Sequence, residues 1–209
     1  MKRKEYAGKD ITVTFDMKRC IHARNCFLKL PQVFDPAQRP WVQPDNAPAE
    51  EIAAMVRTCP SGALAFRKEN AAEMVPPFNR ITVLENGPLA IAGDITVEDG
   101  ESETRVTLCR CGLSKNKPFC DYSHVEGGFE ATGEPKAKTP PMSDERGNAV
   151  RAFRIPDGPL KVEGNVELTT GTGLKIGTHE KAFLCRCGAS KNKPYCDGSH
   201  KDAGFSDPA

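Results

Sequence analysis

The chain has 209 residues, 38% hydrophobic and 7% aromatic, and its 29 basic side chains nearly balance 28 acidic ones. That balance offers no basic face to nucleic acid or to an anionic membrane, and no apolar run approaches the roughly 18 residues of a membrane span. Gly (18) and Pro (17) are plentiful, which favours turns and short strands over long helices.

The opening "MKRKEYAGKD" is basic but has no apolar segment behind it, so it does not read as a secretory leader and a cytoplasmic location is expected. Thiols stay reduced there, and nine cysteines argue for metal chemistry over disulfides. They fall into three groups of three: Cys20, Cys26 and Cys59; Cys109, Cys111 and Cys120; Cys185, Cys187 and Cys196.

Residues 1–75 read as one module. "ITVTFD" (Ile11–Asp16) alternates as a strand does, and "ALAFRK" (Ala63–Lys68) is its expected partner. Between them "PAEEIAAMVRTC" predicts a helix, with Pro48 near its first turn and Glu50 and Glu51 at its positive end. "MVPPFN" then breaks the pattern as a linker.

The cysteines of this module stand in "CIHARNCF" and "CPSGAL", so Cys20 and Cys26 occupy the first and third positions of a C-x2-C-x2-C triplet whose second position is Ala23, and Cys59 precedes Pro60. The stretch resembles single-cluster ferredoxins in which loss of the middle cysteine leaves a 3Fe–4S cluster. It also resembles the divergent 4Fe–4S single-cluster domains. The resemblance implies a ferredoxin-like α+β fold with Cys20, Cys26 and Cys59 as cluster ligands. Three thiolates suit 3Fe–4S; a fourth iron would need His22, water or another donor. Three buried cysteines without a cluster is the alternative, and His22 then only packs or hydrogen-bonds. Trp41, in "RPWVQP", reads as a core or loop anchor that can shield the site.

From residue 80 the chain repeats itself. "NGPLAIAGDITV" (Asn86–Val97) matches "DGPLKVEGNVEL" (Asp157–Leu168), each a turn feeding an alternating strand, and each copy runs on to a second strand ending in "LCRCG". Between Leu108–Phe129 and Leu184–Phe205, 16 of 22 positions are identical. The expected organisation is repeat 1 at 80–130, a polar connection at 131–147, and repeat 2 at 148–209.

Each copy carries C-x-C-x8-C-x3-H. Two cysteines at i and i+2 on an extended strand end face the same side, and the turn "SKNKP" lets the third Cys and the His close the site. Asp121 and Asp197 follow the third cysteine, where a helix start would offer N–H groups to sulfur. By donor type alone this set suits a structural Cys3His zinc ion or an iron–sulfur cluster, with simple packing a further reading. "CDGSH" stands at Cys196–His200, and "CRCGxSKNKPxC" precedes the third cysteine in both copies. The chain thereby resembles the CDGSH iron–sulfur family. That resemblance implies a 2Fe–2S cluster held by Cys109, Cys111, Cys120 and His124, and another held by Cys185, Cys187, Cys196 and His200. It also implies that the two copies form a pseudo-symmetric intramolecular dimer with exchanged strands. The fold expected for the whole chain is thus α+β: a ferredoxin-like module followed by a β-rich tandem module.

Repeat 1 has Tyr122 where repeat 2 has Gly198, so unequal sites are expected. His179, in "GTHEK", reads as an ordinary strand or loop residue. Lys115, Lys117, Lys191 and Lys193 read as solvated charge or as a steering patch for an acidic partner. With no nucleotide-binding glycine loop and no Ser–His–Asp pattern, no enzymatic turnover is expected. The expected role is electron transfer with a protein redox partner, or alternatively delivery of a cluster to an apo iron–sulfur acceptor or redox and pH sensing, by a monomer that binds neither nucleic acid nor membrane.

Overall fold

The computed structural model describes residues 3–68, 73–135 and 147–208, so part of the expected connection, 136–146, lies outside the described residues. The chain divides into two compact units, Met1–Met74 and Val75–Ala209. The first unit has a three-stranded antiparallel sheet in the order β1 (Lys4–Ala7), β2 (Thr12–Phe15), β3 (Leu64–Arg67). Thr12 faces Arg67 and Phe15 faces Leu64, the strand pair read from the sequence. Strand β1 was not foreseen, since "KEYA" has only one buried residue, Tyr6.

Two helices lie between β2 and β3: α1 (Asn25–Lys29) and α2 (Ala49–Arg57). Pro48 stands at the N-cap of α2, next to its first turn, which Glu50 and Glu51 occupy. Ile52, Ala53, Met55 and Val56 give α2 one apolar face, which packs with Val13, Val33, Phe34 and Leu64 in a core of its own.

The second unit contains β4 (Arg80–Val83), β5 (Leu89–Val97), β6 (Ser102–Leu108), α3 (Ser123–Glu126), β7 (Val150–Arg154), β8 (Leu160–Thr169) and β9 (Lys175–Leu184). Strict alternation along β5 buries Leu89, Ile91, Ile95 and Val97, and β8 buries Leu160, Val162, Val166 and Leu168. Each of these side chains contributes about 1.5–3 kcal/mol by leaving water.

Every pairing in one repeat has its counterpart in the other. Strand β5 pairs antiparallel with β4 and β6, as β8 does with β7 and β9. Beyond its own repeat's short strand, each long strand accepts on the same edge a short parallel strand from the other repeat, β7 beside Ile95–Val97 and β4 beside Glu167–Thr169. The ladder β4–β5–β7–β8–β4 therefore closes on itself, and one core serves both copies.

Candidate metal centres

In both repeats the cysteine pair lies in a bend just past the strand end, rather than on the strand as alternation suggested. The return loop zips onto that end: Cys109 N–H donates to Pro118 O (2.8 Å) and Cys120 N–H to Thr107 O (2.9 Å). Repeat 2 does the same, from Cys185 to Pro194 O (2.7 Å) and from Cys196 to Phe183 O (2.9 Å).

The polar letters of the motif build this loop. Ser114 Oγ donates to Phe119 O (2.6 Å) and Ser190 Oγ to Tyr195 O (2.7 Å). Lys117 and Lys193 are tied into the loop, donating to Ser114 O (2.7 Å) and Ser190 O (2.6 Å). Asp121 accepts from Lys115 N, Ser123 N and Ser123 Oγ, and Asp197 from Lys191 N, Ser199 N and Ser199 Oγ. These aspartates pin the turn that carries the histidine: the short helix α3 in repeat 1, hydrogen-bonded turns in repeat 2. The Ser199 hydroxyl and the Ser199 and Lys191 amides hold the Asp197 carboxyl well below the usual range.

The four donors of each repeat form two pairs. Cys109 and Cys111 Sγ stand 3.7 Å apart, and Cys120 Sγ lies 3.4 Å from His124 Nδ1. Cys185–Cys187 and Cys196–His200 show the same 3.7 and 3.4 Å. A tetrahedral metal with sulfur bonds of about 2.3 Å has ligand–ligand edges of roughly 3.8 Å. Each pair thus spans one edge of such a tetrahedron. Among the described residues, no three His, Cys, Asp or Glu side chains gather round a point suited to one ion. Four donors set out as two such pairs suit a metal group of the iron–sulfur kind.

Backbone amides surround the sulfurs. Leu113 N–H and Ala189 N–H point to Cys111 and Cys187 Sγ at 3.4 Å, and Gly198 N–H to Cys196 Sγ at 3.5 Å. In repeat 1 the contact between the two thiols holds Cys109 below the usual thiol range. Burial pushes Cys120 up to about 12 and lifts Cys185. Burial also lowers His124, against the pull of Asp121.

Sequence reasoning passed over the arginine inside each C-R-C. Arg110, 1% exposed, donates to Gly87 O (2.9 Å), Thr132 O (3.1 Å), Leu84 O (2.6 Å) and Ala131 O (3.2 Å), and its guanidinium lies 5.4 Å from the Phe129 ring centre. Arg186, 2% exposed, pairs with Asp207, donates to Ile155 O (2.7 Å) and faces Phe205 at 4.9 Å. The signal available was an arginine repeated between two ligand-type cysteines.

The repeats differ at Tyr122, which adopts the left-handed conformation (φ 78°) that glycine takes at Gly198 (φ 92°). Its ring meets His124 edge-on at 5.3 Å, and His124 and Cys120 are 8% and 2% exposed, while His200 and Cys196 are half-buried. Replacing Tyr122 by Gly removes a left-handed penalty of about 1–2 kcal/mol and adds roughly 0.5–1 kcal/mol of unfolded-chain entropy. The metal-free chain should gain roughly 0–1.5 kcal/mol in denaturant unfolding; a lower midpoint would refute the strain. In repeat 2 His179 Nε2 meets Tyr195 hydroxyl at 3.0 Å, a contact that Phe119 denies repeat 1.

In the first unit, Cys20 follows a turn capped by Asp16, Cys26 sits in α1, and Cys59 follows α2. Asn25 Nδ2 donates to Thr58 O (2.7 Å), tying α1 to the Cys59 loop. All three cysteines and His22 line one cavity of about 640 Å3, walled by Phe15 and Trp41. Trp41 packs against Phe15, Phe34 and Tyr6 at 5.0, 5.9 and 6.2 Å. Positive φ at His22 (50°) and Arg24 (65°) curls the loop, and the His22 and Phe27 amides reach the Cys20 and Cys26 sulfurs. Burial raises both thiols, with mutual sulfur repulsion adding to it. Three sulfurs and inward amides on one cavity wall fit an anionic iron–sulfur group.

Comparison with known proteins agrees with this division. Residues 6–69 match the family described as "Divergent 4Fe-4S mono-cluster". Residues 86–125 and 157–201 each match "Iron-binding zinc finger CDGSH type". The uncharacterized protein YjdI of Escherichia coli (strain K12) is 36% identical over 62 residues, covering 30% of this chain and 82% of YjdI, and YjdI of strain O157:H7 matches equally. No described helix is long and apolar enough to cross a membrane.

Proposed function

This chain belongs to the divergent 4Fe–4S mono-cluster family through residues 6–69 and to the CDGSH iron-binding family through residues 86–125 and 157–201, and from that premise we propose that it is an electron-transfer protein. In this reading Cys109, Cys111, Cys120 and His124 hold one 2Fe–2S cluster, and Cys185, Cys187, Cys196 and His200 a second. Cys20, Cys26 and Cys59 hold a 3Fe–4S cluster in a ferredoxin-like module. The carrying observation is the duplicated pairing of donors at 3.7 and 3.4 Å, one pair per metal atom.

Iron–sulfur groups supply one-electron redox chemistry, and with one imidazole among the ligands the potential lies between about −400 mV for four-cysteine plant-type clusters and the higher two-histidine range. The protein's part is to hold the ligands still and aim N–H groups at the sulfurs, so that little rearranges when charge changes. The strand exchange across β4–β8 and β5–β7 supports a single chain acting as its own dimer. We propose a cytoplasmic monomer without turnover of its own, which meets a protein redox partner and neither nucleic acid nor membrane.

Iron and acid-labile sulfide analysis with electron paramagnetic resonance tests this. A 3Fe–4S signal in the oxidised protein and two unequal 2Fe–2S signals after reduction are expected. Zinc in place of iron would end the proposal.

One observation favours a second reading, delivery of a cluster to an apo acceptor or redox sensing: in repeat 2 Cys187, Cys196 and His200 are all partly exposed. Mixing with an apo-ferredoxin separates the two. Transfer of absorbance that His200→Cys abolishes supports delivery; reversible reduction with all iron retained supports electron transfer.

A further inference from the structure

The residue after the second cysteine is a glycine in each repeat, Gly112 and Gly188, both at φ 83°. A Cβ on Gly188 would stand 2.5 Å from the carbonyl oxygen of Cys111, and one on Gly112 2.8 Å from that of Cys187. The atoms met are backbone, which cannot swing aside as a side chain can. The two bends that carry the cysteine pairs therefore lie backbone to backbone, each glycine against the other repeat's second cysteine.

The peptides at this contact have a second task. The peptide joining Cys111 to Gly112 turns its oxygen towards Gly188, while its N–H lies on the Cys109 side and favours the thiolate there. The peptide joining Cys187 to Gly188 turns its oxygen towards Gly112, while its N–H lies on the Cys185 side and favours the thiolate there. A peptide group is planar and stiff, so pressure on its oxygen swings the N–H on the other side. Hydrogen bonds to sulfur help to set the potential of an iron–sulfur group, and outer partners of metal ligands are worth about 10–100-fold in metal affinity.

We propose that Gly188 is a positioning residue for the Cys109–Cys111 site and Gly112 for the Cys185–Cys187 site, so that each site is tuned in part by the bend of the other. This rests on the reading above that the cysteine pairs hold iron–sulfur groups. Coupling of this kind is reciprocal, so the order in which the sites load or are reduced depends on the contact.

The test uses the full chain carrying Cys196→Ser, which removes the repeat 2 site and leaves repeat 1 to be read. Into it go Gly188→Ala and, separately, Gly198→Ala. Gly198 also has positive φ (92°), but nothing lies within 4 Å of its would-be Cβ, so alanine there strains repeat 2 without reaching across. Gly188→Ala should change the repeat 1 resonance signal and speed iron release to a chelator by about tenfold, the lower end of outer-partner effects. Gly198→Ala should alter neither. Equal effects of the two, or none from Gly188→Ala, would overturn the proposal. If Gly188→Ala does not fold, the mirror experiment, Gly112→Ala in Cys120→Ser read at repeat 2, applies the same criteria. Metal analysis of the unaltered chain tests the iron–sulfur reading separately: were zinc found, chelator release would still decide the contact.

Discussion

Arg110→Ala is expected to destabilise the repeat unit by roughly 4 kcal/mol, taking about 1 kcal/mol for each of the four carbonyls that lose their donor. That is a large part of the about 5–15 kcal/mol that holds a typical domain together. The guanidinium joins the Cys109–Cys111 bend to Leu84 and Gly87 on one side and to Ala131 and Thr132 on the other. Its charge is buried deeply enough to bring its pKa down to about 10. Without it the cysteine pair loses its anchor, so repeat 1 should also lose iron more readily. Arg110→Lys should rescue little, because a single ammonium cannot reach four carbonyls in a planar fork. Urea unfolding of the metal-free chain, read as a midpoint shift at constant slope, measures the effect. A loss under about 1 kcal/mol would mean that the carbonyls find water or other donors.

Acid should strip both repeats, repeat 2 at the faster rate because solvent reaches its histidine, and His→Cys substitution should protect both. A metal-bound imidazole must be neutral, so protons compete with metal, by up to about tenfold for each pH unit below the free pKa near 6.5. Burial lowers His124 in the folded chain. For such a group no stability is lost above the ordinary value, where both forms are neutral. As pH falls below it, the released chain binds a proton that the folded site refuses, and the balance tips towards release until the lowered value is passed. His124 lies under Tyr122 and is nearly buried, whereas His200 has only Gly198 beside it and is partly exposed. Visible absorbance followed from pH 8 to pH 5 should bleach in two phases, the faster removed by His200→Cys and the slower by His124→Cys. Tyr122→Gly should bring the phases together. A single pH-independent phase would show that the histidines are not ligands.

The function proposed here stands on features of different origin. The chemistry of the sites was written in the chain: three groups of three cysteines, a histidine four residues after the third in each repeat, and strand alternation in β5 and β8 clear enough to bury the right face. Helix α2 was legible for the same reason, since its acidic first turn and apolar stripe are local properties. Strands β1, β4 and β7 were not. They are four or five residues long, and β4 and β7 are also held by partners far off in the chain, such as Arg80 beside Glu167 and Val150 beside Ile95. So short a run carries too little periodicity to announce itself.

Residue spacing grouped the candidate donors of the two repeats, because residues a few positions apart cannot be far apart in space, while the resemblance to known families implied which of them, Cys59 included, serve one site. Only the tertiary structure decided that they gather as pairs, that Arg110 turns inward to carbonyls 21 to 26 residues away, and that Gly112 and Gly188 meet across the repeats. The glycine contact depends on pairing between the two copies, and a pairing between distant segments leaves no mark in the local sequence of either.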